Sequence, residues 1–276
     1  MIYAHSIPVL MYHHVSPASG FISVTPENFD SQLAWLAQHG YRALTTDEFA
    51  DHLSGRRLAP ARSVLITFDD GYLDNWIYAY PLLKRHGYHA TFFVVTGQLG
   101  EGPVRTEMPA HDTVPHQECE ARIAQGQADS VMLRWSEVKA MRDGGYAEFH
   151  SHSHTHTRWD RVEAANKNQR MREELEQSRE AFLAHFGEAS EHLCWPQGYF
   201  DADYQRIAQE AGFRYLYTTE PFGQNLVGGD TSHIYRFAVR NTHGASVGRR
   251  IQVGQGRVVG PLFHAWKRWR RAAKRS

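Results

Sequence analysis

Asp69 and Asp70 stand side by side where the apolar run Ser63–Phe68 ends, with Gly71 behind them. Further along, Glu148-Phe-His-Ser-His-Ser-His-Thr-His156 follows a second apolar run and places imidazoles at 150, 152, 154 and 156. Imidazole together with carboxylate is a ligand set for a first-row transition metal, with Zn²⁺ the usual occupant. Adjacent residues at a strand end point in different directions, so one Asp can hold a metal while its neighbour reaches an activated water. Asp-Asp-Gly taken alone reads equally well as a turn, and it is the histidines that favour the site. His152 and His156 are four apart and share a face if the strand gives way to a helical turn. His150 and His154 are left as supporting or solvent-facing groups.

Short apolar runs alternate with amphipathic stretches along nearly the whole chain, a βα rhythm. Strands are predicted at 7–13, 41–44, 64–68, 90–95, 146–150, 192–195, 215–218 and 235–239. Thr25-Pro26 caps one predicted helix, with Gly40 beyond its end, and Ser136 precedes another that stops at Gly144-Gly145. A parallel barrel and a doubly wound sheet both suit this pattern. The barrel is preferred because the chemically interesting residues fall at the ends of several strands. The polar segment 97–134, with Pro103, Pro109 and Pro115, interrupts the rhythm and reads as a functional loop or a plain surface insertion.

With 276 residues and 42% apolar content, one large domain suffices. Cys119 and Cys194 are too few for a disulfide scaffold and are expected as free thiols. The formal charge is zero, yet residues 257–276 carry seven Lys/Arg and no acid, which argues against a generally basic nucleic-acid binder. The division expected is a barrel over 1–256 and a basic amphipathic tail over 257–276. The N-terminus has neither a basic leader nor an apolar run of spanning length, so a cytoplasmic chain, peripheral at the inner membrane, is expected.

Thr67-Phe-Asp-Asp-Gly71 and Ser151-His-Ser-His-Thr-His156 resemble the first two motifs of the polysaccharide deacetylases, the NodB-homology or carbohydrate esterase family 4. The resemblance implies a distorted (β/α) barrel of about seven strands, with Asp69 as general base and Asp70, His152 and His156 as metal ligands. The family's third motif carries an Arg and an aromatic that Leu193-Cys-Trp-Pro-Gln-Gly198 lacks. Gln197 can still offer a main-chain N–H to an oxyanion, while Trp195, Pro196 and Gly198 are carried over as substrate-side residues. Cys194 cannot replace the Arg, which implies either a changed orientation of Asp69 or another cation, such as Arg236 or Arg240, in its place. Pro8-Val-Leu-Met-Tyr-His-His-Val15 is similar to the strand that comes first in the circularly permuted poly-N-acetylglucosamine deacetylase branch. His13 then matches the general acid, and His14 is expected as a structural histidine.

The implied reaction is hydrolysis of the N-acetyl group of an N-acetylhexosamine, assisted by a divalent metal, Zn²⁺ being expected. Amino-sugar deformylation and O-acetyl ester hydrolysis use the same groups, and loss of catalysis would leave a carbohydrate-binding barrel. In the tail, Val259, Leu262, Phe263, Trp266, Trp269 and Ala273 recur at helical spacing among Lys and Arg, the pattern of a helix lying on an anionic membrane. A glycolipid, such as a lipopolysaccharide precursor, is therefore the expected substrate; a solvated helix packed on the barrel is the alternative.

Overall fold

The computed structural model describes residues 2–18, 20–106 and 113–273. Apart from a separate short pair that joins His14–Val15 to Ser23–Val24, the strands of the main sheet are β1 (Val9–Tyr12), β2 (Arg42–Ala43), β3 (Ser63–Phe68), β4 (Ala90–Val94), β5 (Ala147–Ser151), β6 (His192–Cys194), β7 (Tyr215–Tyr217) and β8 (Phe237–Ala238). They form a parallel sheet in the order β8-β1-β3-β4-β5-β6-β7, with β2 added at the start of β3. Ile234 bonds to β7, and Phe237 and Ala238 pair with β1. One segment thus joins the two ends of the sheet and rolls it into a barrel, as expected.

The helices of seven or more residues are α1 (Pro26–Gln38), α2 (Thr46–Ser54), α3 (Tyr80–His86), α4 (His116–Ala124), α5 (Trp135–Asp143), α6 (Lys167–Phe186), α7 (Ala202–Glu210), α8 (Gly244–Gln255) and α9 (Val259–Ala272). Thr25 caps α1 by accepting the Asn28 N–H, and α1 buries Phe29, Leu33 and Leu36. Ser136, expected ahead of α5, lies inside it. The helix is capped instead by the Glu137 carboxylate, which accepts the Arg134 N–H at 2.9 Å.

Register decides which side chains reach the site. Tyr12, Phe68, Phe92 and Phe149 are partners across β1, β3, β4 and β5, and their rings stack at 5.2, 4.8 and 5.3 Å on the face that meets the helices. Successive residues alternate faces. The same register therefore turns Leu65, Phe93 and Cys194 into the barrel, where they pack with Tyr217.

The interior also holds a polar group. Glu148 accepts from the Thr46 N–H at 2.7 Å and the Thr91 hydroxyl at 2.6 Å, and His150 lies 2.9 Å from both the Thr46 and Ser190 hydroxyls. Burial would raise the Glu148 pKa, but His150 and the hydrogen bonds outweigh it and bring it down to about 2, from 4.5. A depressed carboxylate stabilises the fold fully above its unfolded pKa, and that stability is lost as pH falls from about 4.5 towards 2. Glu148→Gln should accordingly cost roughly 1–3 kcal/mol at neutral pH and flatten the acid limb. Denaturant unfolding from about pH 6 to about pH 3 checks this; equal acid sensitivity in both proteins would refute it.

Candidate active site

β3 delivers Asp69 and Asp70 to one end of the barrel. Asp69 continues the inward-facing series and is 2% exposed, and its main-chain N–H donates to Tyr12 O at 2.9 Å. Asp70 takes the left-handed conformation (φ 74°), followed by Gly71 at φ 88°. A Cβ on Gly71 would come within 2.9 Å of Val94, so glycine is required on both counts. The left-handed step swings the second carboxylate away from the first, towards the loop after β5.

That loop is not the helical turn expected. Ser153 and His156 are themselves left-handed (φ 66° and 65°), and the Ser153 hydroxyl accepts the His156 N–H at 3.2 Å. The buried Glu174 of α6 holds the loop from below by accepting the His154 N–H at 2.9 Å, the Thr155 N–H and the Thr155 hydroxyl. Two tight reversals, rather than helical periodicity, bring His152 and His156 together. Their Nε2 atoms lie 3.2 and 3.6 Å from Asp70 Oδ1. His152 Nδ1 is 2.8 Å from the Cys194 carbonyl, which fixes it as the N–H and leaves Nε2 free to ligate.

Asp70, His152 and His156 thus place three ligand atoms within 4.8 Å of one another. Two imidazoles and a carboxylate suit Zn²⁺ with room for further ligands. The field suits a cation as well. Burial opposes charge on both partners, yet His152 is raised well above its ordinary pKa by Cys194, Asp70 and Asp69, and Asp70 is held below the usual carboxylate range. Asp69, His152 and Cys194 also converge. Both Asp69 oxygens are taken by Arg236, however, and burial pushes the Cys194 thiol up in pKa, so that group is the poorer ligand set.

Arg236 settles what stands beside Asp69. Its guanidinium, fully buried, donates to Asp69 Oδ1 and Oδ2 at 2.7 and 2.8 Å, to the Thr218 carbonyl at 2.9 Å and to the Thr67 hydroxyl at 3.2 Å, with Cys194 Sγ 2.8 Å away. Cys194 is small enough to leave this space to a cation arriving from the barrel-closing segment. Burial would raise the Asp69 pKa, but Arg236 overrides it, so Asp69 stays ionised and below its ordinary value. Arg240 is exposed.

His13 follows β1, with Nε2 3.9 Å from Asp69 Oδ2. Burial lowers its pKa, against the raising influence of Asp70 and Asp69. His14 is buried, 2.6 Å from Asp74 and stacked on Tyr72, as expected of a structural histidine. Segment 97–134 returns to this wall through α4, where His116 Nδ1 is 3.3 Å from His14 Nε2; Pro109 lies outside the described residues. Arg105, ion-paired with the buried Glu137, ties the segment to α5. Neither His116 nor Glu174 is signalled by the sequence, because each acts across many residues with no motif around it.

Gln197 heads an exposed turn at φ 53°, with Gly198 behind it at φ 67°. A Cβ on Gly198 would meet the Thr219 hydroxyl at 2.0 Å, so this glycine permits a close packing. Trp195, expected on the substrate side, is fully buried and packs with Phe200 and Tyr204; Pro196 is buried too. Trp195 lies on the opposite face from the inward-turned Cys194, packed with Leu175, Tyr204 and Ile207 of the covering helices, so it supports the loop from behind and does not face a substrate. His154 lies 3.0 Å from the Thr96 hydroxyl, and Cys119 and Cys194 are free, buried thiols.

Fold and site together describe a parallel barrel whose strand ends carry a candidate metal triad, a buried ionised carboxylate and an imidazole, the parts of a metal-assisted hydrolase. The polysaccharide deacetylase family matches residues 56–216, and the chain belongs to that family. YxkH of Bacillus subtilis (strain 168) is 27% identical over 216 residues, spanning 78% of this chain and 65% of that protein. A poly-beta-1,6-N-acetyl-D-glucosamine N-deacetylase of Staphylococcus aureus (strain MSSA476) is 28% identical over 207 residues, spanning 72% of this chain and 61% of that one. The chain therefore matches a little under two thirds of the length of these relatives. The solved structure of IcaB from Ammonifex degensii superposes with a TM-score of 0.73 at 25% identity, covering 91% of this chain and 99% of that one. The proteins it resembles thus include one named as a poly-beta-1,6-N-acetyl-D-glucosamine N-deacetylase.

Proposed function

We propose that the chain is a divalent-metal-dependent N-deacetylase that hydrolyses the acetamido group of an N-acetylhexosamine in a membrane glycolipid, such as a lipopolysaccharide precursor. The observation that carries the reading is the pairing of Asp69 with Arg236 immediately beside the Asp70, His152 and His156 cluster. A divalent ion held by those three, Zn²⁺ in this reading, would polarise the acetyl carbonyl and ease ionisation of water. Asp69, kept ionised by Arg236, takes the proton of the attacking water. The Gln197 N–H is assigned to the developing oxyanion. His13 donates the proton that lets the sugar amine depart, since an unprotonated amine is a poor leaving group.

The membrane part of the reading is supported by α9, on which Leu262 (68%), Trp269 (67%) and Trp266 (47%) are exposed among Lys and Arg. His264 and Gly260 seat the helix on the barrel, and Lys274 and Arg275 of the tail lie outside the described residues. No helix among the described residues is long and apolar enough to cross a membrane. The working place in this reading is the cytoplasmic face of the inner membrane.

The direct test is release of acetate and appearance of amine from an N-acetylated sugar by metal-loaded protein, abolished by chelation and restored by Zn²⁺. Formate from an N-formyl sugar with no acetate would replace the reading with a deformylase. His13→Ala is expected to retain metal, lower kcat by about 10²–10⁴-fold and remove the alkaline limb of the pH–rate profile. Its loss should be smaller on an acetyl ester, whose alkoxide leaves with less help. An equal loss on amide and ester, or an unchanged kcat, would rule out His13 as the acid.

A further inference from the structure

An open groove of about 1010 Å³ runs between the end of β8, α8 and α9. Among the described residues six cations line it, Arg240, Arg249, Arg250, Lys267, Arg270 and Arg271, and no Asp or Glu does. Among the described residues none of the six is ion-paired with a carboxylate. This crowding occurs in a chain with equal numbers of acidic and basic residues. Its electrostatic cost is visible at Arg250, half-buried 4.2 Å over the centre of the Phe237 ring, where burial and the charge of Arg240 bring the pKa down to about 10. Like charges held together without counter-charge form an anion site, and a guanidinium cluster suits phosphate.

The groove is also apolar. Phe222, Phe237, Val253 and Phe263 share its lining, and Phe21, fully exposed, stands at its edge. Side by side, cations and aromatic rings match an amphiphile with an anionic head, not a neutral glycan. The inner end of the groove adjoins the candidate active site: Thr219 packs on Gly198, next to Gln197, and the Val239 N–H donates to Met11 O, two residues before His13. In an N-acetylhexosamine linked through its anomeric phosphate, the phosphate and the acetamido group sit on neighbouring ring carbons. A substrate of that kind spans adjoining phosphate and hydrolysis sites.

We propose that this groove is the subsite for the phosphate and lipid chain of a lipid-linked N-acetylhexosamine, with Arg240, Arg249 and Arg250 on the phosphate and Phe222, Phe237 and Phe263 along the chain. The proposal rests on the N-deacetylase reading and adds the carrier to it.

The test uses Zn²⁺-loaded full-length protein, the double variants Arg240→Gln/Arg250→Gln and Lys267→Gln/Arg270→Gln, and unfolding curves to verify that both fold. Two substrates are compared, a short soluble N-acetylglucosamine oligomer and N-acetylglucosamine on a prenyl diphosphate; a sugar-free prenyl diphosphate in detergent is titrated separately. Each variant should raise KM for the lipid-linked substrate by about 10- to 100-fold with kcat nearly unchanged, weaken prenyl diphosphate binding to match, and leave the oligomer unaffected. Turnover of the oligomer without prenyl diphosphate binding overturns the groove and leaves the deacetylase reading standing. Prenyl diphosphate binding that needs the arginines, with no acetate from either substrate, keeps the groove and removes that reading. Binding to anionic vesicles but not to prenyl diphosphate in detergent assigns the cations to membrane docking and also overturns the subsite.

Discussion

Asp70→Asn should leave the protein folded and unable to retain a divalent ion through dialysis. Asparagine is the better probe than alanine because Asp70 is left-handed at φ 74°, a conformation Asn tolerates and Ala resists. The substitution removes the charge that balances the ion while keeping shape and backbone. His152→Ala and His156→Asn, the latter because His156 is also left-handed at φ 65°, should do the same, since three protein ligands is the minimum for a catalytic zinc site. The loss of affinity should exceed the roughly 10–100-fold that accompanies removal of a supporting partner. Acetate release should disappear with the metal. Metal analysis after dialysis is the measurement, and full metal content in all three variants would eliminate this triad as the site.

Asp69→Asn should behave in the opposite way, keeping the metal and losing turnover by about 10²–10⁴-fold, the usual effect of removing a general base. The structure adds a cost in stability. Arg236 is buried without exposure to water, and its balance of charge comes from Asp69. Breaking one side of a buried pair strands the other, with a penalty of roughly 3–5 kcal/mol. Asp69→Asn should therefore unfold at lower denaturant, and adding Arg236→Met should recover much of that stability without recovering turnover. This double substitution separates the two roles of Asp69, because stability depends on the pair and turnover on the carboxylate. If Asp69→Asn lost metal while Asp70→Asn kept it, base and ligand would have to be exchanged.

The expected strands and the structure differ mainly at their ends: 7–13 becomes Val9–Tyr12, and 235–239 becomes Phe237–Ala238. Flanking residues that share the apolar pattern leave the ladder where the chain turns into the site. Ser136 fits a cap by residue type, but the helix starts before it, and Glu137 caps it by reaching back to the Arg134 N–H, held there by its ion pair with Arg105. For His152 and His156, spacing of four was correct as a sign of convergence and wrong as a sign of helix, since left-handed Ser153 and His156 achieve the same convergence in a loop.

By itself, the sequence determined the barrel, the carboxylate pair after β3, the histidine cluster after β5 and the presence of His13 at the end of β1. These are local: hydrophobic period, strand ends and short motifs are written in consecutive residues. It also raised the question of what stands beside Asp69, with Arg236 and Arg240 as examples, because the Cys at 194 left a need without saying what met it. Only the tertiary structure chose Arg236 over Arg240, buried Trp195, put Glu174 under the histidine loop and assembled six cations from the segment after β8, α8 and α9 into one groove. Those outcomes depend on which residues distant in the chain meet when the sheet closes, and closure is set by register and packing across the whole barrel, which no window of sequence contains.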